Sequence, residues 1–383
     1  MRRRFINNSK NIHNSFNYSN YLTIESASPN CYVSFSNDCE YTINGSGIWI
    51  QLSANTYTKR ITKGQTLSFR GNLISTFQGI GTFFVQGDFN LKGNCMSMLF
   101  GDNAANNYSL MGNTFCRLFE DCTGLLSVSE NFLPATTLSS YCYEQMFKGC
   151  TNLVNAPELP ATILTYYCYY GMFSGCTSLV TAPELPATTL YSYCYYSMFY
   201  GCTSLTVAPE LPATIISYYC YQHMFSGCRK LNYIKMLATK IFGSDSLGNW
   251  VSGVSSTGTF VKHPNMTSLT TGDSGIPRGW TVYNDGEEPN GGLNITIPIE
   301  SGFYQLDNER ATIIKNYCLQ FGDNYSGGGI PNGFSLTING LSITVLYIST
   351  LNGLVNIMGT DDKNSLELII DDGSDYNYVI IYN

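Results

Sequence analysis

Residues able to perform acid–base or metal chemistry are few and scattered in this chain. Three histidines, His13, His223 and His263, are the available imidazole bases, and none is spaced to pair with a serine or cysteine nucleophile. An acidic cluster near the end offers oxygen ligands that suit calcium, but it lacks EF-hand spacing and is better interpreted as turn residues beside a strand. The cluster comprises Asp361, Asp362, Asp371, Asp372 and Asp375. No nucleophile-elbow or nucleotide-binding motif occurs, so we predict no catalytic, cofactor-binding or metal-binding residues.

The cysteines are a second group of chemically capable residues. Nine of the 14 recur at regular positions, with steps of eight and then 18 residues between the later ones. They are Cys122, Cys142, Cys150, Cys168, Cys176, Cys194, Cys202, Cys220 and Cys228. This spacing is not a metal-ligand pattern such as Cys-x2-Cys. We favour packed free thiols in buried columns, with disulfides and metal ligation as the less favoured alternatives.

Tyrosines are the best candidates for recognition, because each combines a large rigid ring with one hydroxyl group. Two sets are present in every copy of an internal repeat and are expected to stack in structural columns. They are Tyr141, Tyr167, Tyr193 and Tyr219, and Tyr143, Tyr169, Tyr195 and Tyr221. Positions that vary between copies carry more potential for recognition, and we predict a binding face there. It comprises Tyr166, Tyr170, Tyr191, Tyr196, Tyr200, Tyr218, Gln222 and His223.

A 26-residue unit, present in four copies, must position these side chains. Leu-Pro-Ala-Thr opens the copies at Leu133, Leu159, Leu185 and Leu211, and Tyr-Cys-Tyr, Met-Phe and Gly-Cys follow at fixed offsets. A fixed period of about 20–30 residues is typical of a leucine-rich-repeat-type solenoid, in which neighbouring units stack to bury a shared core. The Leu-Pro-Ala-Thr motif is interpreted as a structural turn.

Each copy is expected to contain one short helix and one extended return segment. Cys142, Met146 and Cys150 follow a spacing of four residues, which places them on one face of a helix. Ser139 is positioned to cap its start, and Gly149 lies where a left-handed residue would end it. Two prolines then enforce an extended segment. The sequence therefore predicts a mixed α/β solenoid flanked by β-sandwich-like domains.

The repeat, Leu-Pro-Ala-Thr-x4-Tyr-Cys-Tyr-x2-Met-Phe-x-Gly-Cys-x2-Leu, resembles the BspA-like leucine-rich repeats. The likeness covers residues 113–235 closely, and residues 21–100 are similar to the β-rich leader that often precedes such repeats. That family occurs in surface proteins of gut and oral bacteria and in virion proteins of their phages. The resemblance implies adhesion and ligand binding, and it supplies no catalytic residues.

The amino-acid composition of the chain limits its possible binding partners. Only 12% of residues are charged and the net charge is −7, which argues against a nucleic-acid partner. The basic cluster at residues 2–4 is interpreted as a solvated tail. No apolar stretch is long enough to span a membrane. Polar residues follow the basic cluster, so we also expect no secretory signal peptide, which favours a virion protein assembled in the host cytoplasm.

Alternating apolar residues and turn signals predict β-rich flanks. Strands are expected at 21–24, 32–35, 47–50, 66–70 and 81–85, at 293–299, 334–338, 343–348, 366–370 and 378–382, and a helix at 311–321. The predicted segments are 1–20 (an extended N-terminal arm), 21–95 (a β-rich N-terminal domain or cap), 96–237 (the leucine-rich-repeat solenoid), 238–285 (its C-terminal cap), 286–292 (a linker) and 293–383 (a C-terminal β-rich domain).

Together these features predict a non-enzymatic phage virion protein, a head or tail fibre or a decoration protein, that presents a repeat platform to the host surface. Its expected partners are other virion proteins, bound through a terminal domain, and a host glycan or protein; a homotrimer is also expected. The alternative is a bacterial cell-surface adhesin of the same repeat type. A polysaccharide-degrading enzyme with paired carboxylates beyond residue 290 is the least favoured of the three readings.

Overall fold

The computed structural model describes residues 16–71, 82–106, 109–243 and 245–285, followed by the backbone of seven further strands. Several predictions concern residues outside the described ranges. They are most of the N-terminal arm, the linker, the helix at 311–321, the acidic cluster and His13. The molecule is mostly sheet and contains a β-solenoid of about 7 turns with a period of about 26 residues.

Seven strands form the first part of the chain. They are β1 (Leu22–Ser26), β2 (Tyr32–Phe35), β3 (Cys39–Ile43), β4 (Ile50–Leu52), β5 (Thr66–Arg70), β6 (Phe83–Gln86) and β7 (Phe89–Lys92). The sequence placed β2 and β5 correctly, whereas β4 begins where the expected strand at 47–50 was to end. β1, β3, β4, β5 and β7 join one sheet, and β2 pairs with β6 alone. This arrangement does not confirm a β-sandwich.

The sheet runs directly into the solenoid. After β7 come helix α1 (Ser97–Phe100), 3-10 helices at Gly101–Asn106 and Glu130–Phe132, and strands β8 (Ser109–Leu110), β9 (Leu125–Val128) and β10 (Thr137–Leu138). Another 3-10 turn, Tyr18–Asn20, precedes β1. β9 pairs in parallel with β7 and completes the sheet order β4-β3-β5-β1-β7-β9. An antiparallel sheet thus becomes the first parallel step of the repeat array.

Successive coils of the solenoid are joined by short parallel bridges, as stacking predicts. One row links Ser127, Asn155 and Thr181, and another links Thr137 to Ile163. Later coils contribute β11 (Ile215–Ile216), β12 (Tyr233–Met236), β13 (Lys240–Ile241), β14 (Thr259–Lys262) and β15 (Thr281–Asn284). β11 pairs with β13, and β12, β14 and β15 form a three-stranded parallel sheet.

The prediction of a short helix in each copy is wrong. Residues 140–149 form consecutive turns, and α1 is the only α-helix among the described residues. Tyr141, Tyr143 and Gln145 have φ of +66°, +58° and +51°, a left-handed conformation that costs a non-glycine residue about 1–2 kcal/mol. Alternate left-handed residues interrupt the i→i−4 ladder that a helix needs. Gly149 is left-handed as predicted, with φ of +74°, but no helix ends there, and Ser139 caps none.

We call this segment, with its counterparts in the other coils, the turn ribbon. Its hydrogen bonds alternate in direction. Met146 N donates to Tyr143 O within the coil (3.3 Å), whereas Phe147 N donates to Met172 O of the next coil (3.0 Å). Because each coil satisfies the backbone groups of its neighbour, the strained dihedral angles are held in place by the stack.

Identical side chains form columns in the solenoid core. The rings of Phe147, Phe173 and Phe199 stack at 5.7 Å, and Trp250 closes this column beyond Phe225. The described cysteines are free, and all are buried except Cys116, which is partly exposed; this confirms the expected burial of the nine repeat cysteines. The core is therefore continuous from coil to coil, as the repeat requires.

The remaining strands form a separate seven-stranded sheet. They are β16 (Leu293–Ile295), β17 (Gly302–Gln305), β18 (Leu336–Ile338), β19 (Leu341–Leu351), β20 (Leu354–Thr360), β21 (Ser365–Ile370) and β22 (Tyr378–Tyr382), in the order β16-β18-β19-β20-β21-β22-β17. Each of the five strands expected in this part of the chain overlaps one of them.

Candidate functional site

A column of stacked tyrosines runs across four successive coils. Tyr141, Tyr167, Tyr193 and Tyr219 have ring centroids 4.6, 4.4 and 4.6 Å apart, with planes within 10° of parallel. This confirms the expected column. Stacking covers the ring faces, so the column presents ring edges and hydroxyl groups to solvent instead of open aromatic faces.

A second, shorter column lies beside the first. Tyr170 and Tyr196 stack at 4.8 Å with planes 3° apart, and His223 meets the Tyr196 ring edge-on at 5.9 Å. Tyr170 lies 6.1 Å from Tyr167 and Tyr196 lies 6.1 Å from Tyr193. The two columns therefore form one continuous surface, which we call the tyrosine strip.

Open aromatic faces occur at a neighbouring pair. Tyr166 and Tyr191 are 50% and 45% exposed, and their rings meet at 5.3 Å with planes 62° apart. An edge-to-face pair leaves ring faces free for a ligand, which a parallel stack does not. Tyr166 directly precedes Tyr167 of the strip, Tyr191 lies two residues before Tyr193, and the pair offers the apolar contacts that the columns lack.

Three of the predicted face residues belong neither to the strip nor to the Tyr166–Tyr191 pair. Tyr200 is 48% exposed, and among the described residues no ring packs on it. Tyr218, 55% exposed, lies against Gly243, and Gln222 lies against Gly248. The structure thus groups Tyr166 with Tyr191, and Tyr170 with Tyr196 and His223, and leaves the others at the margins.

Sequence reasoning missed that the invariant column is itself part of this surface. Tyr141 is 37% exposed, and Tyr167, Tyr193 and Tyr219 are half-buried. The other invariant set behaves differently: Tyr143, Tyr169, Tyr195 and Tyr221 are buried, and within the described part of the chain the hydroxyl groups of Tyr169 and Tyr195 have no hydrogen-bond partner. Both sets are equally regular in sequence, so regularity alone could not separate surface from core.

The hydroxyl groups of Tyr167 and Tyr196 in the strip are uncharged at neutral pH. Burial, and then the neighbouring Tyr193, raise the pKa of the Tyr196 hydroxyl, and burial followed by Tyr193 and Tyr141 raises the pKa of Tyr167. These hydroxyl groups remain protonated and can donate hydrogen bonds as well as accept them. The arrangement suits a neutral ligand that carries both donors and acceptors.

The thiols are arranged for packing and hydrogen bonding. Burial raises the pKa of Cys176 and of Cys228 to about 12, far from the range in which a thiolate acts as a nucleophile. Cys176 Sγ donates to Phe147 O at 3.1 Å, and Cys202 Sγ repeats this contact at Phe173 O. No cluster of three or more potential metal ligands occurs among the residues described.

Comparison with known proteins finds no matching family model, no matching curated protein and no matching solved structure. In the described part of the chain, no helix is long and apolar enough to cross a membrane. The repeat geometry and the tyrosine strip therefore carry the functional argument.

Proposed function

We propose that this chain is a non-enzymatic structural protein of a phage virion, a fibre or decoration protein, whose solenoid displays the tyrosine strip to the host surface. The observation that carries the proposal is the aromatic surface that continues across coils, from Tyr141 to Tyr219 and from Tyr170 to His223. Solvent-facing tyrosines held by a rigid array suit recognition, because few side-chain rotations are lost on binding.

The chemistry of the strip favours a host glycan or an uncharged protein surface as the ligand. The columns offer a row of hydroxyl groups, and Tyr166 and Tyr191 offer open rings. Sugars present both hydroxyl groups and apolar ring faces, and the two kinds of tyrosine site match these features. With a net charge of −7, the chain lacks the basic footprint that a nucleic-acid partner would need.

The proposal extends to the architecture. We interpret the coils as leucine-rich-repeat-type units similar to the BspA-like repeats, flanked by β-sandwich-like domains. A terminal domain attaches the platform to other virion proteins, and three copies assemble into a fibre. The buried, reduced thiols are consistent with assembly in a reducing cytoplasm.

The alternative function is a bacterial cell-surface adhesin of the same repeat type, which binds host proteins or glycans. The tyrosine strip suits that role equally well, so location must separate the two. Immunogold microscopy of an induced source culture, with antibody against residues 133–237, is the direct measurement. Label on free particles supports the virion protein, and label confined to the cell envelope contradicts it and supports the adhesin.

Adhesion itself is tested with the purified full chain and whole host cells. Tyr166→Ala with Tyr191→Ala is expected to reduce cell binding at least tenfold, since both rings are exposed and carry little of the core. Ile48→Ala is a matched control, because Ile48 is 70% exposed and lies outside the solenoid. If the double variant binds cells as well as the control does, the surface formed by the tyrosine strip and the adjoining Tyr166–Tyr191 pair is not the adhesive surface.

A further inference from the structure

A groove lies where the N-terminal strands meet the first coil of the solenoid. Its volume is about 610 Å³, and its walls come from the β2–β6 pair on one side and from residues 120–124, at the end of the first turn ribbon, on the other. A volume of this size suits a ligand of a few sugar or amino-acid units. None of the residues that line the groove belongs to the tyrosine strip.

The groove arises because the turn ribbon begins here. In later coils, the backbone N–H of the preceding ribbon covers one carbonyl: Asp121 N donates to Lys148 O (2.7 Å), and Gly149 N donates to Ser174 O (2.8 Å). The equivalent carbonyl in the first ribbon is Glu120 O. No coil precedes the first ribbon, and strand β6 lies in that place. It supplies one equivalent hydrogen bond, from Phe83 N to Leu118 O at 2.8 Å. Among the backbone groups described, none donates to Glu120 O, so an acceptor is left at the groove wall.

The lining combines one open aromatic ring with planar polar groups. Phe84 is 53% exposed on the outer face of β6, and Gln86, two residues further on, shares that face. Across the groove lie the exposed carboxylate of Asp121 and the exposed amide of Asn152. Glu120 is already neutralised by Lys148, whose Nζ lies 2.8 Å from Glu120 Oε1.

We propose that this groove binds a neutral, hydroxyl-rich oligosaccharide, at a site separate from the tyrosine strip. The Phe84 ring offers a platform for the apolar face of a pyranose ring. The Asp121 carboxylate, the Glu120 carbonyl and the amide oxygens of Gln86 and Asn152 accept hydrogen bonds from sugar hydroxyl groups, and the charge-assisted bond to Asp121 is the strongest of them. The Asp121 carboxylate also repels acidic sugars, so uronic-acid chains are excluded.

The test is isothermal titration calorimetry of the full chain with maltohexaose, cellohexaose, laminarihexaose and mannohexaose, and with hexaguluronate as the acidic probe. At least one neutral hexamer is expected to bind, and hexaguluronate is not. Phe84→Ala should weaken that binding at least tenfold, and Asp121→Asn at least threefold. Both side chains are exposed, so the variants should retain the thermal melting point of the parent.

Two controls separate this site from the tyrosine strip. Ile48→Ala removes an exposed apolar side chain outside the groove and should leave binding unchanged. Tyr166→Ala with Tyr191→Ala alters the neighbourhood of the strip and should also leave hexamer binding in the groove unchanged. The proposal is overturned if no neutral hexamer binds, if hexaguluronate binds as tightly as the neutral hexamers, or if Phe84→Ala binds like the parent.

Discussion

The rings of Tyr167 and Tyr193 lie 4.4 Å apart and within 6° of parallel, the closest stacked pair in their column. Adjacent parallel strands are separated by about 4.8 Å, so this ring spacing is set by the coil-to-coil step of the solenoid. A residue repeated at the same offset in every coil is therefore brought into contact with its own copies. Stacking on the strip follows directly from the 26-residue period.

Replacement of Tyr193 by alanine is expected to destabilise the chain by about 1–3 kcal/mol, because it removes two stacked ring contacts, each worth about 0.5–1.5 kcal/mol. The contacts are with Tyr167 and Tyr219. Urea unfolding measures the change in the free energy of unfolding. Tyr200→Ala is the control: its ring is exposed and unstacked, so the change should stay within about 0.5 kcal/mol. Equal losses in the two variants would mean that the column contributes nothing to stability.

Two serine-to-glycine variants distinguish the turn ribbon from a helix. Ser197 has φ of +52°, a conformation that strains serine and suits glycine, and the same position of the preceding copy is Gly171. Ser197→Gly is expected to stabilise the chain by about 0.5–1 kcal/mol. Ser174 lies in the same segment without a positive φ, so Ser174→Gly should cost about 0.5–1 kcal/mol.

Thermal or urea unfolding of both variants provides the measurement. In a helix, each glycine would be unfavourable by a similar amount, because glycine is a poor helix former wherever it lies in the interior. Opposite signs for the two variants support the ribbon. A loss of stability in Ser197→Gly as large as that in Ser174→Gly would contradict it.

The failure of the helix prediction has a simple geometric cause. The buried residues of the ribbon occur in pairs, Cys142 with Tyr143 and Met146 with Phe147, so the pattern repeats every four residues. An α-helix has 3.6 residues per turn, and over eight residues the two periods differ by less than one position. The spacing of Cys142, Met146 and Cys150 could not decide between them. The left-handed dihedral angles that do decide fall mostly on tyrosine, a residue that gives no sequence signal for them.

Features that depend on stacking between equivalent coils could be predicted from the sequence, whereas features at the end of the solenoid could not. The period, the buried cysteines and the stacked tyrosines follow from the repeat alone, because each copy contacts its own equivalents. The groove beside Phe84 depends instead on how β6 meets the first ribbon at Leu118. That contact joins two segments that share no repeat, so no sequence periodicity indicates it. The division of the invariant tyrosines into surface and core also depends on the direction in which each side chain leaves the ribbon.

The phenylalanine column is expected to be a main source of stability. Phe173 is fully buried between Phe147 and Phe199, so Phe173→Ala should cost about 3–5 kcal/mol from lost burial and the cavity left behind. Chemical unfolding monitored by circular dichroism measures this change in the free energy of unfolding. Phe84→Ala, on an exposed ring, should change the free energy of unfolding by less than about 0.5 kcal/mol. A loss below about 1 kcal/mol in Phe173→Ala would mean that the column is loosely packed.

Stability should fall steeply at alkaline pH because the thiols are buried. A cysteine in the unfolded chain ionises with a pKa near 8.5, whereas burial raises the pKa of Cys176 and Cys228 to about 12 in the folded chain. Above the unfolded pKa, the unfolded chain binds fewer protons than the folded chain, so the free energy of unfolding decreases as pH rises. The thiol contribution is complete below about pH 8.5 and is lost progressively between about pH 9 and pH 12, at up to about 1.4 kcal/mol per pH unit for each thiol.

Urea unfolding at pH 7.5, 9 and 10.5, with reductant present, measures this slope. The triple variant Cys176→Ser, Cys202→Ser and Cys228→Ser is the control, since each serine hydroxyl can donate to the carbonyl that the thiol now contacts but does not ionise in this range. Its free energy of unfolding should decline less steeply between pH 9 and 10.5 than that of the parent. Because buried tyrosines such as Tyr169 also resist ionisation, part of the decline above pH 10 should persist in the triple variant. Identical slopes in the two proteins would show that these three thiols do not govern the alkaline limit.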